Sequence, residues 1–334
     1  MHRDYSLRLL NSFGIDVKTR LYAAPSDEEE LTRILEETPP DSVPFLLLGE
    51  GSNLLFTKNF DGLVIRPAMK GIVHLDENEQ QVSISVGAGE NWDHWVEHSL
   101  EKGWYGLENL SLIPGSVGAA PVQNIGAYGT ELKDHLAWVE AWDLTEGRQV
   151  KIKREDCRFR YRNSIFKTEE RGRYIITRVV FSLRKNAEPI LNYGNIGKAF
   201  RESGGKTALD LRKVVVDIRR QKLPDHEEYG NAGSFFKNPV VDASLGTSIR
   251  QEYPHMPSYP EQEGKMKIPA AWLIEQSGWK GRRKGAVGTW PTQPLVLVNY
   301  GGASGTEILA FSQEIMDDVQ TKFGIGLERE VNVV

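Results

Sequence analysis

Cysteine is all but missing: the 334 residues contain one, Cys157. A single thiol excludes an intramolecular disulfide, a CxxC redox pair and a cysteine-rich zinc site. Long apolar runs are missing as well. No stretch of about 18 apolar residues occurs, so no membrane-spanning helix is expected, and the opening, Met1 to Gly14, lacks the apolar segment of a secretory signal. No block of like charge stands out, because 41 Lys and Arg are interspersed with 46 Asp and Glu for a net charge of −5. That pattern argues against a nucleic-acid partner. These absences point to a cytoplasmic protein, neither membrane-bound nor nucleic-acid-bound; a monomer with small-molecule partners is the working expectation, although nothing in the sequence fixes the oligomeric state. Internal repeats and low-complexity tracts are also absent.

Hydrophobic residues make up 40% of the chain, enough for large cores, and the length suggests two or three domains. Ser26-Asp-Glu-Glu29 has a capping-box pattern, and Leu31, Ile34 and Leu35 follow at helical spacing. Short apolar runs at 45–48, 54–56 and 63–65 read as strands, giving an opening β-α-β-loop-β-turn-β. Val82, Ile84 and Val86 alternate with serines, as in a half-buried strand. The pattern predicts helices over 90–102, around Leu211 to Ile218, near 242–253, over 270–276 and over 306–323, the last capped by Gly324. Further strands are expected at 138–144, 174–183, 295–298 and 327–334. The mixture indicates an α+β protein and not an alternating parallel α/β sheet.

Two glycine-rich stretches could hold an anionic ligand. Leu48-Gly-Glu-Gly-Ser-Asn-Leu-Leu55 follows a strand, and its glycines let backbone N–H groups converge on a pyrophosphate. It is no Rossmann fingerprint, since the third glycine is missing and a helix does not follow. The stretch from Ile113 to Gly129 permits close backbone approach to a flat or phosphorylated ligand. Each also reads as an ordinary structural loop. Gly204-Gly-Lys-Thr207 fails as a P-loop because Phe200 stands where the first glycine belongs. His94-Trp-Val-Glu-His98 fits a zinc-peptidase pattern, but the histidines fall opposite the Trp92, Trp95 and Val96 stripe, on the solvated face. No metal is expected.

Three polar constellations sit in aromatic or glycine-rich settings. Arg158 to Lys167 interleaves cations with aromatics, and Arg162 could grip a carboxylate bidentately. Gly230 to Pro239 presents Ser234 between a small-residue turn and two phenylalanines, where a hydroxyl could donate a proton in a partly desolvated pocket. Leu327-Glu-Arg-Glu-Val331 puts Glu328 and Glu330 on one face of a predicted strand. Taken singly, each also reads as a surface ion pair, a turn serine or a solvated strand face.

Taken in order, these segments resemble the UDP-N-acetylenolpyruvoylglucosamine reductase (MurB) family. The resemblance runs through Asn11-Ser-Phe-Gly-Ile15, Gly49 to Asn53, Gly106-Leu-Glu-Asn-Leu110, Ile113 to Gly118, Gln123 to Gly129, Tyr161 to Lys167, Lys222-Leu-Pro224, Gly230 to Pro239, Ala271 to Gln276, Leu295 to Asn299 and the final Glu-Arg-Glu-Val. Leu191-Asn-Tyr-Gly194 looks like the tyrosine loop of the longer, type I members. The resemblance implies a two-lobed FAD-binding module of the vanillyl-alcohol-oxidase-like (PCMH) type plus an α+β substrate-binding domain. Residues 1–70, joined by 325–334, would form the first lobe, 71–223 the second, and 224–324 the substrate domain. It implies FAD contacts from Gly49, Glu50, Gly51, Ser52, Asn53, Gly115, Ser116, Gly118, Asn124 and Gly126. Tyr128, Tyr193, Lys222, Asn238 and Gln293 would line the substrate and nucleotide pocket, with NADPH as hydride donor. Arg162 and a protonated Glu330 would polarise the substrate carboxylate, and Ser234 would protonate C2. Asn332 stands where some relatives carry a basic residue, and Ala119-Ala120 replaces small polar residues. A flavin oxidase of the same fold, a zinc peptidase on His94, Glu97 and His98, and a nucleotide-sugar binder without turnover remain as alternatives.

Overall fold

The computed structural model describes residues 1–225, 228–262 and 264–334. The chain divides into two units. Unit 1 comprises residues 1–5, 19–50 and 61–219, and unit 2 comprises 6–18, 51–60 and 220–334. Among the described residues no helix is long and apolar enough to cross a membrane. Helices and strands are mixed throughout, so the fold class is α+β.

Unit 1 is built on two sheets. The first orders its strands His2–Ser6, Lys18–Ala23, Phe60–Ile65, Phe45–Leu47, and helix α1, Glu28–Glu37, packs Leu31 and Ile34 with Leu63 and Ile65. Asp27, not Ser26, caps α1: its carboxylate accepts from Glu30 N–H, so the cap lies one residue later than the pattern predicts, and Glu30 bonds Ser26 N–H instead of closing a reciprocal box with Asp27. Two strands precede α1 where one is expected.

The second sheet orders Arg148–Lys153, Leu136–Asp143, Tyr174–Arg184, Gln81–Gly87, Ile72–Glu77, antiparallel throughout. Val82, Ile84 and Val86 are buried as the alternation predicts, but Ser85 is buried too, its hydroxyl accepting from Arg178 Nε at 2.7 Å. Helix α2, Trp92–Glu101, lays Trp92, Trp95, Val96 and Leu100 into this core against Phe181. Helix α3 is Ile196–Glu202 and α4 is Ala208–Lys222, whose last three residues belong to unit 2. Arg212, 8% exposed on the apolar face of α4, donates to both Asp93 oxygens at 2.6 and 3.0 Å and so locks α4 to α2.

Unit 2 centres on an antiparallel sheet ordered Gly230–Ser234, Val296–Asn299, Val287–Thr289, Arg283–Lys284. Helices α5 (Ala243–Glu252), α6 (Ala270–Gln276) and α7 (Gly305–Phe323) complete it. Ser304 and Glu307 form a reciprocal capping box at the start of α7, and Gly324 closes it in the left-handed conformation at φ +67°. Only Asn332–Val333 of the predicted final strand is a strand, pairing in parallel with Leu54–Leu55; Leu327 to Val331 touches its neighbour through one bridge, Arg329 to Phe236.

Candidate active site

In unit 1 the two glycine stretches meet. Gly49 lies so close to residues 116–119 that a Cβ on it would stand 3.0 Å from both Ser116 Oγ and Ala119 Cβ. Residues 115–118 run antiparallel to 88–92: Trp92 N–H donates to Gly115 O at 2.9 Å, and Val117 and Gly118 N–H donate to Glu90 and Ala88 O at 2.8 Å each. Gly118 is required by that approach, since its Cβ would fall 2.5 Å from Ala88 Cβ. Asn91 ties the parts together. It caps α2 by accepting from His94 N–H, and its amide donates to Glu50 at 3.2 Å. The result is a close-packed cradle at the start of α2, formed by Gly49, Gly115, Ser116 and Gly118 with the Glu50 carboxylate held by Asn91.

Two strained turns stand beyond it. Gly126–Ala127 pairs with Thr130–Glu131, leaving Tyr128 and Gly129 at the tip with φ +51° and +83°. Arg160 and Asn163 exchange backbone hydrogen bonds at 3.0 and 3.1 Å, leaving Tyr161 and Arg162 at a second tip with Arg162 at φ +53°. A bulky side chain at positive φ costs about 1–3 kcal/mol and persists where the surroundings enforce it. Arg162 Nη1 lies 3.2 Å from where a Cβ on Gly126 would sit, so the guanidinium rests on the first hairpin. Asn124, itself at φ +45°, links the two turns: its amide donates to Arg160 O at 3.2 Å and Glu131 at 3.1 Å, and its oxygen accepts from Lys133 N–H at 3.0 Å. Tyr193, 53% exposed, stands edge-on to Tyr128 with ring centroids 6.3 Å apart.

Sequence reasoning missed Arg219 on α4. Its buried Nε has no hydrogen-bond partner, and burial lowers its pKa while Tyr128 pulls it back up. Burial likewise raises the Tyr128 phenol, partly offset by Arg219. Arg212 and Arg219, seven residues apart on the apolar face of one helix, are the signal that could have found it.

In unit 2, Gly51 at φ +66° packs against Leu10-Asn11, its carbonyl accepting from Ser12 N–H at 3.2 Å. Asn53 anchors the chain's end. Its amide donates to Glu330 O at 3.3 Å and its carbonyl accepts from Asn332 N–H at 3.1 Å. The Asn332 side chain turns to the same Asn53 carbonyl at 3.3 Å. Ser52 adjoins this loop, half-buried.

Ser234 owes its position to a bulge. The register between Gly230–Ser234 and Val296–Asn299 slips between Asn231 and Ser234, with Gly233 at φ +65°. Asn231 holds that turn by accepting from Gly233 N–H at 3.0 Å and donating to Tyr229 O at 2.8 Å. Bulges re-aim side chains next to functional sites. Here Phe235 and Phe236 are buried behind while Ser234 stands exposed, where the pattern predicts a partly desolvated setting. Glu330 N–H donates to Phe235 O at 2.9 Å, so Ser234 and Glu330 lie on neighbouring backbone segments. Glu328 instead pairs with Lys237 in solvent.

The remaining unit 2 candidates are spread along its elements. Asn238 accepts from Ala270 N–H at 2.9 Å and so braces the start of α6. Gln293 has a buried Oε1 with no hydrogen-bond partner. Lys222 is exposed at the end of α4. The zinc alternative fails: His94 and Glu97 are exposed, Glu97 reaches Arg212, and His98 packs on Trp95 and Trp104. Among the described residues no group of three His, Cys, Asp or Glu could hold a metal ion. Cys157 is fully buried, its thiol pushed up to about 12 by burial, which suits a core thiol and not a covalent anchor.

Residues 19–153 match the family described as "FAD binding domain", and residues 225–334 match "UDP-N-acetylenolpyruvoylglucosamine reductase, C-terminal domain". The UDP-N-acetylenolpyruvoylglucosamine reductase of Pseudomonas aeruginosa is 46% identical over 330 residues, covering 98% of this chain and 97% of that protein. The reductase of the same name from Amoebophilus asiaticus is 44% identical over 337 residues, covering 100% and 99%. The crystal structure of the reductase from Thermus caldophilus superposes with a TM-score of 0.66 at 26% identity, covering 98% of this chain and 97% of that one.

Proposed function

The chain belongs to the UDP-N-acetylenolpyruvoylglucosamine reductase family, and from that premise we propose that it reduces UDP-N-acetylglucosamine enolpyruvate to UDP-N-acetylmuramate for peptidoglycan synthesis, with bound FAD and with NADPH as donor, in the cytoplasm. The residues present fit FAD. Gly49 and Gly118 let the two glycine stretches and residues 88–92 pack closer than a Cβ would allow, and a surface made largely of backbone suits a pyrophosphate. Gly49, Glu50, Gly51, Ser52, Asn53, Gly115, Ser116, Gly118 and Gly126 are assigned to the cofactor, with Asn124 acting through the turns it fixes. Residues 1–70 with 325–334, and 71–223, would serve as the FAD lobes, and 224–324 as the substrate domain.

FAD, when bound, would provide the hydride chemistry for reduction of the alkene at C3. The protein's part is to handle the charge and the proton. Negative charge develops at C2 and on the adjoining carboxylate. Arg162 meets that carboxylate with a fixed cation, held in place beforehand by its strained turn, so no reorganisation is needed as charge grows. Glu330 in its protonated form gives the carboxylate a second donor. Ser234 passes its hydroxyl proton to C2 and recovers one from water. Tyr128, Tyr193, Lys222, Asn238 and Gln293 are assigned to the sugar nucleotide. The observation that carries this reading is the bulge that displays Ser234 beside the Glu330 segment, since an oxidase would have no use for a paired proton donor and carboxyl there.

The test is anaerobic. NADPH should bleach the visible flavin band of the purified protein, and UDP-N-acetylglucosamine enolpyruvate should restore it. A flavin that bleaches but returns only on admission of oxygen would replace this reading with the oxidase. A protein that binds the sugar nucleotide and never bleaches would replace it with a binder.

A further inference from the structure

The segment Gly106 to Leu110 has no part in the reaction above, yet Leu107 to Leu110 are buried and the segment is tied down by hydrogen bonds. Gly106 N–H donates to the buried Glu108 carboxylate at 2.7 Å, Ser111 Oγ donates to Glu108 O at 2.6 Å, and Trp92 Nε1 donates to Leu110 O at 2.9 Å. From this platform the Asn109 side chain, 1% exposed, reaches two separate loops. Its Nδ2 donates to Tyr128 O at 2.9 Å and to Ile190 O at 3.0 Å. Two carbonyls facing one terminal atom require that atom to be nitrogen. Its Oδ1 is buried with no hydrogen-bond partner, so burying this amide is compensated through the two donated bonds alone. Tyr128 and the loop after Ile190 carry the two tyrosines assigned to the substrate. Leu191 packs in one cluster with Tyr128, and a Cβ on Gly129 would touch Tyr193 Cβ at 3.4 Å.

We propose that Asn109 is a positioning residue: a single buried amide that pins the Tyr193 loop to the Tyr128 hairpin and so sets how the two tyrosines receive the sugar nucleotide. The proposal rests on the substrate-binding role given to those tyrosines. Leucine would fill the same space without donating, and aspartate would face two carbonyls with a carboxylate, so amide chemistry is what the position demands. The pin acts at Ile190, three residues before Tyr193.

The test uses the FAD-loaded full chain with Asn109→Asp, which keeps the side-chain volume. Backbone amide exchange over residues 191–196 should quicken about tenfold or more on loss of the two bonds. The KM for UDP-N-acetylglucosamine enolpyruvate should rise about 10- to 30-fold with kcat changed less than about 3-fold. Combining Asn109→Asp with Tyr193→Ala should raise KM little beyond Tyr193→Ala alone, since both remove one interaction. Unchanged exchange, or effects on KM that multiply in full, would overturn the proposal. A Tyr193→Ala protein with unaltered KM would refute the tyrosine assignment instead, and exchange would still decide the pin. If Asn109→Asp does not fold, Asn109→Ala, whose cavity admits water to both carbonyls, is judged by the same criteria.

Discussion

Removing the Asp93 carboxylate should weaken both the fold of unit 1 and its hold on flavin. Asp93 accepts both Arg212 nitrogens and the backbone N–H of Leu112, a residue held at φ +57° where the glycine-rich loop begins. Burial works to raise its pKa, but the Arg212 hydrogen bonds, the Leu112 N–H and the cation's charge together hold it below the usual carboxylate range. Asp93→Ala strands the guanidinium of the buried Arg212, with Glu97 at 3.5 Å as its remaining counter-charge. Breaking a buried pair on one side costs about 3–5 kcal/mol; Glu97 places this case near the lower end. An unsatisfied Leu112 N–H adds about 1 kcal/mol. With an m-value of about 3 kcal/mol/M, a loss of 3–4 kcal/mol lowers the urea midpoint by roughly 1 M. The assay follows far-UV circular dichroism and released flavin fluorescence in parallel, and flavin should leave at lower urea than the fold does. Asp93→Ala with Arg212→Leu removes both charges and should recover most of the loss. A double variant as unstable as Asp93→Ala alone, or a single variant within about 1 kcal/mol of the parent, would refute this reasoning.

Ser234→Ala should leave anaerobic bleaching by NADPH intact and slow the return of flavin colour by at least about 100-fold, as loss of a general acid does; equal slowing of both steps would remove Ser234 from its role. His135, 7% exposed with an unpartnered Nε2, has its pKa lowered to about 4 by burial, with Arg184 adding to the effect and Asp134 opposing it. Its folded pKa lies below its unfolded value, so the unfolded chain takes up the proton first. Stability is therefore unaffected above pH of about 6.5 and falls by up to about 3 kcal/mol as pH drops through that value toward 4. Denaturation midpoints of His135→Gln against pH should lack that slope. Gly118→Ala drives a Cβ to within 2.5 Å of Ala88 Cβ, so the cradle must shift; FAD affinity measured by fluorescence quenching should drop about tenfold or more, as overpacking by 1–3 kcal/mol requires, and an unchanged affinity would place the cofactor elsewhere.

Much of the secondary structure was legible because local periodicity and punctuation wrote it. The stripe of Ile308, Phe311, Ile315 and Val319, with Ser304 and Glu307 before it and Gly324 after, specifies α7 without outside help. The C-terminal segment shows the limit. Alternating Glu328, Arg329 and Glu330 looks like a strand, but the chain has a neighbour for one bridge there, and pairing partners are not a property of a segment alone. Ser85 reads as solvent-facing by alternation and is buried because Arg178, 93 residues away, covers it.

The site divides the same way. Residue types and order carried the family and, with it, the candidate catalytic set, because Ser234, Arg162 and Glu330 are held by local motifs: a Gly-Ser bulge, a four-residue turn and a short extended tail. What the sequence by itself determined is therefore the chemistry available and the turns that display it. The tertiary structure decided which groups are spoken for. Asn124, Asn238 and Asn53 look alike as polar ligands-in-waiting, yet one ties two turns, one braces α6 and one anchors the last strand. Conversely, Asn109 and Arg219 gain their meaning from burial, which depends on what packs over them from distant parts of the chain. A hydrogen-bonding group has the same donors in any sequence, and only its surroundings in space fix whether they are used.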